Sequence, residues 1–129
     1  MAMDEDQIRR FLERYGRALS AGDLREIAAC WEVPALVLAD ESATAVAEAR
    51  EIERFFARAV DLYRSQGLAS TAPHLERVEP LSAKLAAVDV RWPAFDAAGT
   101  ERASERSHYI LRLGYDGQPR IRVALTRTG

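Results

Sequence analysis

The hydrophobic pattern of the chain is helical in its first half and alternating in its second half. Apolar side chains recur three and four positions apart over residues 4–20, 23–31 and 48–66, which predicts three amphipathic helices. Between the last two helices, residues 35–39 are an uninterrupted apolar run and residues 44–46 follow a polar turn, which predicts a short hairpin.

In the second half, apolar and polar residues alternate, as they do in strands with one buried face. This alternation predicts strands over residues 74–81, 85–92, 100–113 and 119–128, with a loop at 93–99. Helices followed by strands indicate an α+β domain in which the helices cover one face of a mainly antiparallel sheet. The apolar residues expected on the covered face are Val88, Val90, Trp92, Tyr109, Leu111, Leu113, Ile121, Val123 and Leu125.

The size and charge of the chain set limits on its organisation and partners. With 129 residues, the chain is expected to form one domain, residues 1–129. Its 18 basic and 20 acidic residues give a net charge of −2, which offers no electrostatic reason to expect a nucleic acid or a membrane as a partner. The acidic start lacks the apolar segment of a secretory signal, so we expect a cytoplasmic protein.

Residues typical of metal sites are few. The histidines are His74 and His108, and neither forms a cluster of ligand spacing with Cys30 or with carboxylates, so no metal and no cofactor are expected. Alternation puts His108 on the face opposite Tyr109. The facing of His74 stays open, and it remains a candidate acid or base of a pocket. Cys30 is interpreted as a small buried residue and cannot form an internal disulfide.

Two segments resemble parts of one known fold. Residues 14–24, with the sequence RYGRALSAGDL, resemble the first helix and helix break of bacterial ketosteroid isomerases. Residues 88–92, VDVRW, resemble the pocket-lining central strand of the same fold. With the order of the elements, nearly the whole chain resembles the nuclear transport factor 2-like superfamily, which includes ketosteroid isomerases and SnoaL-like cyclases. The resemblance implies a cone-shaped, curved, antiparallel or mixed sheet, wrapped by three N-terminal helices around an apolar pocket.

The resemblance also suggests catalytic positions. Ketosteroid isomerase uses an aspartate base together with a tyrosine and a protonated aspartate as oxyanion donors. By resemblance, the tyrosine donor falls on Tyr15 and the protonated aspartate falls near Tyr109. The base falls on or beside Ala39. The nearest carboxylate, Asp40, is one residue further along, which in a strand is the opposite face, although the chain turns into a loop here and could bulge. Tyr15 and Asp40 are therefore the candidate catalytic residues of an incomplete set.

A ligand pocket in this fold would be lined by apolar and aromatic side chains. For Trp31 and Trp92, packing in the core is the competing interpretation, because a buried indole needs only one partner for its N–H. The candidate ligand-binding residues are Tyr15, Trp31, Phe56, Val90, Trp92, Tyr109 and Leu111.

The outer face of the sheet is expected to be polar. It could be a solvated face with cross-strand pairs, a homodimer interface around Ile110 and Ala124, or an anion-binding patch. We favour the homodimer, because the resemblance implies it and the net charge does not favour the patch. The polar residues expected on this face are Asp89, Arg91, Arg106, His108, Arg112, Arg120 and Arg122.

Three functional hypotheses follow from the sequence. The first is a protein that binds a small hydrophobic ligand, with Tyr15 and Tyr109 as the polar groups of its pocket. The second is an isomerase, cyclase or hydrolase with Asp40 or His74 as base and Tyr15 as donor. The third is a structural or partner-binding dimer whose pocket is filled by its own core, which predicts no cavity of ligand size.

Overall fold

The structure is a computed structural model that describes residues 3–127 of the chain. Within that range it contains three helices and seven strands. The helices are α1 (Glu5–Ala21), α2 (Leu24–Ala29) and α3 (Ala49–Ser65). The strands are β1 (Trp31–Ala39), β2 (Ser42–Val46), β3 (Ser70–Thr71), β4 (His74–Pro80), β5 (Leu85–Phe95), β6 (Glu101–Leu113) and β7 (Pro119–Arg127).

The boundary between α1 and α2 follows from local backbone chemistry. Asp4 and Asp23 are the N-caps, and their side chains accept hydrogen bonds from the backbone of Gln7 at 2.7 Å and of Glu26 at 3.2 Å. Gly22 ends α1 with a φ of 67°, a left-handed conformation that favours glycine. A side chain at this position would also meet the guanidinium of Arg64. The two helices therefore turn sharply against each other.

The strands form one mixed sheet in the order β2-β1-β7-β6-β5-β3, and β4 also pairs with β5. β1 and β7 are parallel, and all other pairs are antiparallel. The core lies between the helices and the inner face of this sheet, which the cluster of buried apolar residues defines. The predicted α+β fold, with a mixed sheet and three helices before the long strands, is confirmed.

Two predicted boundaries were wrong. The second helix was expected to reach residue 31, but α2 ends at Ala29 and Trp31 begins β1. The cause is distant in sequence: Trp31 pairs with Ile121, whose N–H donates to the carbonyl of Cys30 at 2.9 Å.

The loop expected at residues 93–99 is strand as far as Phe95. β4 pairs with β5 up to Arg91 and β3 pairs with it from Ala94, so Pro93 lies in the gap between them. The backbone nitrogen and carbonyl of a strand residue point to the same side. The Pro93 carbonyl points into the gap, where it accepts from the side chain of Thr71 at 2.8 Å, so the missing N–H of this proline breaks no ladder hydrogen bond.

A bulge in β7 reverses the predicted facing of its second half. Leu111 pairs with Ile121 while Ile110 pairs with Val123, so Arg122 is an extra residue and the alternation changes its phase. Beyond it, Ala124 is buried on the inner face, whereas Val123 and Leu125 lie on the outer face. Unbroken alternation predicts Val123 and Leu125 inside and Ala124 outside, and those three assignments were wrong.

Because Leu111 faces inward and Leu125 faces outward, replacing each by alanine is expected to lower the free energy of unfolding by different amounts. Leu111 is fully buried, so Leu111→Ala is expected to lower the free energy of unfolding by about 2–5 kcal/mol. Leu125→Ala, on the outer face, is expected to cost less than half as much when urea denaturation is measured at a protein concentration low enough for the chain to be monomeric. Equal losses at both positions would contradict the bulge.

Candidate functional site

A cavity of about 650 Å³ lies between the inner face of the sheet and α3. Aromatic side chains line its deep end, and charged side chains are found at its mouth. The deep part is lined by Tyr15, Trp31, Phe56, Trp92, Tyr109 and Ala124. The lining residues Arg54, Phe55, Arg58 and Glu105 are exposed, so the cavity opens to solvent beside α3.

Tyr15 is the central ring of the cavity floor. It packs edge-to-face against Trp92 with ring centroids 5.8 Å apart, and against Tyr109 and Phe56 at 6.4 Å. This geometry brings the positive ring edge to the negative ring face. Because Tyr15 comes from α1 and its neighbours come from β5, β6 and α3, the four elements are joined at one point.

Each deep phenol is paired with an indole. The Nε1–H of Trp31 donates to the hydroxyl of Tyr15 at 3.2 Å, and the Nε1–H of Trp92 donates to the hydroxyl of Tyr109 at 3.0 Å. An indole can only donate, so each phenol oxygen is the acceptor and keeps its own hydrogen for another group. The Tyr15 hydroxyl has no further hydrogen-bond partner within residues 3–127. The cavity therefore contains an oriented O–H donor.

Burial keeps both deep phenols neutral. Removal from water raises the pKa of Tyr15 well above its ordinary value, and the nearby Tyr109 adds to the effect. Burial likewise raises the pKa of Tyr109 to about 12, although the hydrogen bonds from Ser107 and Trp92 oppose the shift. At neutral pH the two phenols are hydrogen-bond donors and not phenolates.

Polarity increases along β6 towards the mouth. The inner-facing residues run from Leu111 through Tyr109 and Ser107 to Glu105. At the mouth, the Tyr63 hydroxyl donates to the carboxylate of Glu105 at 2.7 Å and joins α3 to the sheet. Burial, followed by this hydrogen bond, raises the pKa of Tyr63.

The structure brings most of the sequence-derived ligand candidates together. Tyr15, Trp31, Phe56, Trp92 and Tyr109 all line the cavity. In contrast, Val90 and Leu111 are completely buried in the core and are not part of the cavity wall.

Both candidate bases lie elsewhere. Asp40 is exposed in the turn between β1 and β2 and does not line the cavity. His74 is exposed and pairs with Arg91, which faces the outer side of the sheet because its neighbour Trp92 faces inward. The structure therefore separates Asp40 and His74 from Tyr15.

Glu105, Arg54 and Arg58 are lining residues that sequence reasoning missed. Glu105 has the same strand parity as Tyr109, so alternation along β6 already carried the signal. The two arginines fall on the polar side of α3, and only the position of the helix over the open cavity makes them lining residues.

In the described part of the chain, no group of three His, Cys, Asp or Glu side chains is placed to hold a metal ion. Cys30 is buried, and burial raises its pKa to about 11, so its thiol is protonated. No helix within residues 3–127 has the length and apolar character needed to cross a bilayer.

The buried phenols predict a loss of stability in alkali. Above the ordinary pKa of 10.0, the unfolded chain releases the Tyr109 proton while the folded chain keeps it up to about pH 12. The stabilising contribution is complete below pH 10.0 and is lost through this window. Each such tyrosine lowers the free energy of unfolding by up to about 1.4 kcal/mol per pH unit. Urea denaturation across this range measures the slope.

Tyr109→Phe is the control for this prediction, because it keeps the ring and removes the titrating group. We expect the free energy of unfolding of the variant to fall less steeply with pH, by up to about 1.4 kcal/mol per pH unit, because its unfolding releases one proton fewer. Identical slopes in the two proteins would contradict the buried, neutral Tyr109.

Comparison with known proteins agrees with this architecture. A domain of unknown function with a cystatin-like fold from Nostoc punctiforme PCC 73102 superposes with a TM-score of 0.76 at 22% identity, over 98% of this chain and 77% of that one. An NTF-2 like protein of unknown function from Shewanella oneidensis MR-1 gives 0.73 at 14% identity, over 96% and 98%. A ketosteroid isomerase-like protein from Erwinia carotovora atroseptica SCRI1043 gives 0.66 at 16% identity, over 96% of each chain.

At these sequence identities, the three similarities show the fold alone. No curated protein sequence matches the chain. A family model described as NTF2-like protein (DUF6841) matches residues 4–129, which is almost the entire sequence. The chain therefore belongs to this NTF2-like family, as the resemblance of its first helix and central strand indicated.

Proposed function

We propose that the protein binds a small, mainly apolar molecule that carries a hydrogen-bond acceptor oxygen at its buried end. A cavity of about 650 Å³ lies within the usual size of sites for small organic ligands, which are mostly apolar with a few placed polar groups. The aromatic walls around Tyr15 supply the apolar surface. The open volume argues against the hypothesis of a pocket filled by its own core.

The observation that carries this proposal is the pair of indole–phenol hydrogen bonds. Trp31 and Trp92 occupy the phenol oxygens of Tyr15 and Tyr109, so the phenols turn their hydrogens to other acceptors. A buried donor that remains unpaired costs free energy, and a carbonyl or ether oxygen of a ligand would remove that cost. A pure hydrocarbon would leave the cost in place.

An enzyme is the second candidate, and it depends on Glu105. A base must share the cavity with the donors. Among the described residues, Glu51 and Glu105 are the carboxylates that line it. Glu105 lies on the same strand face as Tyr109, and the Erwinia relative is ketosteroid isomerase-like. Binding ranks first because Glu105 is exposed at the mouth and already accepts a hydrogen bond from Tyr63.

The donor pair predicts a preference for a ketone over a hydrocarbon of the same shape. The fluorescent probe N-phenyl-1-naphthylamine is bound first, with energy transfer from Trp31 and Trp92 as the signal. It is then displaced by 2-acetylnaphthalene or by 2-ethylnaphthalene. Removing both hydroxyls, Tyr15→Phe with Tyr109→Phe, is expected to lower the ketone-to-hydrocarbon affinity ratio by about threefold to tenfold, the net value of one hydrogen bond.

Two controls make this experiment decisive. Ala124→Phe fills the deep cavity and should abolish probe binding, whereas Ala83→Phe, in the exposed turn before β5, should not. Ala94→Phe, also in the cavity wall, replaces Ala124→Phe if that variant does not fold. An unchanged ratio in the double tyrosine variant contradicts the role of the phenols. Probe binding that survives every filling variant contradicts the cavity as the site.

We also propose that the protein is a homodimer paired through the outer face of the sheet. Five half-buried apolar residues come from β1, β7 and β6, which are adjacent strands. Polar contacts flank them, including a hydrogen bond between Asp89 and His108 at 2.7 Å and ion pairs of Glu32 with both Arg112 and Arg122. An apolar centre with a polar rim is the usual composition of an interface. The five residues are Leu36, Leu38, Ile110, Val123 and Leu125.

Leu125→Lys tests the dimer by placing a charge in the centre of this apolar patch. In light scattering, we expect the unmodified protein to show twice the chain mass of 14.4 kDa. Leu125→Lys is expected to show the mass of a single chain. Leu62→Lys, at an exposed leucine of α3, is the matched control and should remain dimeric. A monomeric unmodified protein at micromolar concentration would contradict the proposal.

A further inference from the structure

We propose that the ligand is an organic carboxylate, with its apolar body in the aromatic cavity and its carboxylate at the mouth between Arg54 and Arg58. This inference rests on the proposed binding function and adds the charge and the direction of the ligand. Three observations support this inference. α3 leaves apolar surface over the cavity, two arginines on its flank have no partner within residues 3–127, and the nearby carboxylates do not pair with these arginines.

α3 covers the cavity without burying its own apolar face. Although its apolar residues recur on one side, Ile52 is the one buried residue of the helix. Phe55 remains 56% exposed while its ring packs edge-to-face on Phe56, with centroids 5.1 Å apart. An amphipathic helix normally buries its apolar stripe. The apolar body of a ligand would complete that burial, with Phe55 at the mouth and Phe56 deeper inside.

Two arginines stand on the flank of α3 next to Phe55. Arg54 and Arg58 are four residues apart, so their side chains lie on the same side of the helix. Both line the cavity, and neither makes an ion pair or a hydrogen bond with any side chain or backbone group of residues 3–127. Other arginines of α3 are engaged: Arg50 pairs with Glu48, and Arg64 donates to the carbonyl of Ala21.

No acidic group at the mouth forms an ion pair with these arginines within residues 3–127. Glu105 is occupied by the hydroxyl of Tyr63 on the sheet side. Glu51 lies in the first turn of α3, where the partial positive charge of the helix N-terminus compensates it. Arg54 and Arg58 lie further along the helix. Their guanidinium groups offer several N–H donors in a planar arrangement that fits a carboxylate.

The overall charge of the protein makes the attraction a local one. With a net charge of −2, the chain as a whole repels an anion weakly. A preference for a carboxylate must then come from groups at the cavity, because the chain as a whole does not attract an anion. Salt that screens these groups is expected to weaken the preference.

The test compares 4-(2-naphthyl)butanoic acid with 4-(2-naphthyl)butanamide, which differ in charge and share one skeleton. Each displaces N-phenyl-1-naphthylamine from the unmodified protein at low ionic strength. We expect the acid to bind at least about fivefold more tightly than the amide, as two solvent-facing ion pairs would provide. The double variant Arg54→Gln with Arg58→Gln should bind both equally, and its affinity for the amide should be unchanged.

The control is Arg10→Gln with Arg25→Gln, which removes the same charge from exposed arginines that do not line the cavity. It should keep the preference for the acid. Glutamine is a good helix former, so both double variants are expected to fold.

The outcomes separate this inference from the function on which it rests. If the amide and the neutral probe do not bind, the binding function itself is wrong. If they bind and the acid is not preferred, or if the preference survives Arg54→Gln with Arg58→Gln, the function stands and the carboxylate inference is overturned. The inference is overturned equally if the control variant loses the preference to the same extent.

Discussion

The edge-to-face packing of Tyr15 on Trp92 and Tyr109 is the contact on which the rest of the site depends. It fixes α1 on the inner face of the sheet and places two phenols side by side in an apolar environment. The indole N–H groups of Trp31 and Trp92 donate to the phenol oxygens, so each of these buried side-chain atoms has a hydrogen-bond partner, and the Tyr15 hydrogen stays available to an acceptor. A floor built in this way is rigid, and its donors are oriented before any ligand arrives.

The wall opposite this floor has a different physical character. α3 buries one residue completely and holds the sheet at the mouth through the bond from Tyr63 to Glu105. A helix that leaves apolar surface over an open cavity contributes less to stability than one packed on the sheet. Such under-packed elements are where binding sites are commonly found. The rigid floor and the loosely packed α3 together suit a protein that admits a ligand and orients it.

The fold by itself assigns no chemistry, because proteins of the same shape share little sequence with this one and the same fold serves many functions. Binding is therefore inferred from the side chains of the cavity. The deep cavity offers neutral donors and apolar walls, its charged groups are confined to the mouth, and the candidate bases Asp40 and His74 lie outside it. This distribution favours holding a molecule over transferring its protons.

Local sequence determined the helices, their caps at Asp4 and Asp23, and most of the strands. It also placed Tyr15 and Tyr109 on inward faces. Helical spacing, capping and alternation are each encoded within a few residues, which is why a local pattern predicts them. Tertiary structure alone decided where Trp31 leaves the helix and which way Val123, Ala124 and Leu125 face. The first feature depends on the parallel pairing of β1 with β7, which joins residues about ninety positions apart. The second depends on the bulge at Arg122, which is set where β7 pairs with β6. The openness of the cavity, and hence the position of Arg54 and Arg58 in its wall, was likewise set by how α3 rests on distant strands, which no local pattern records.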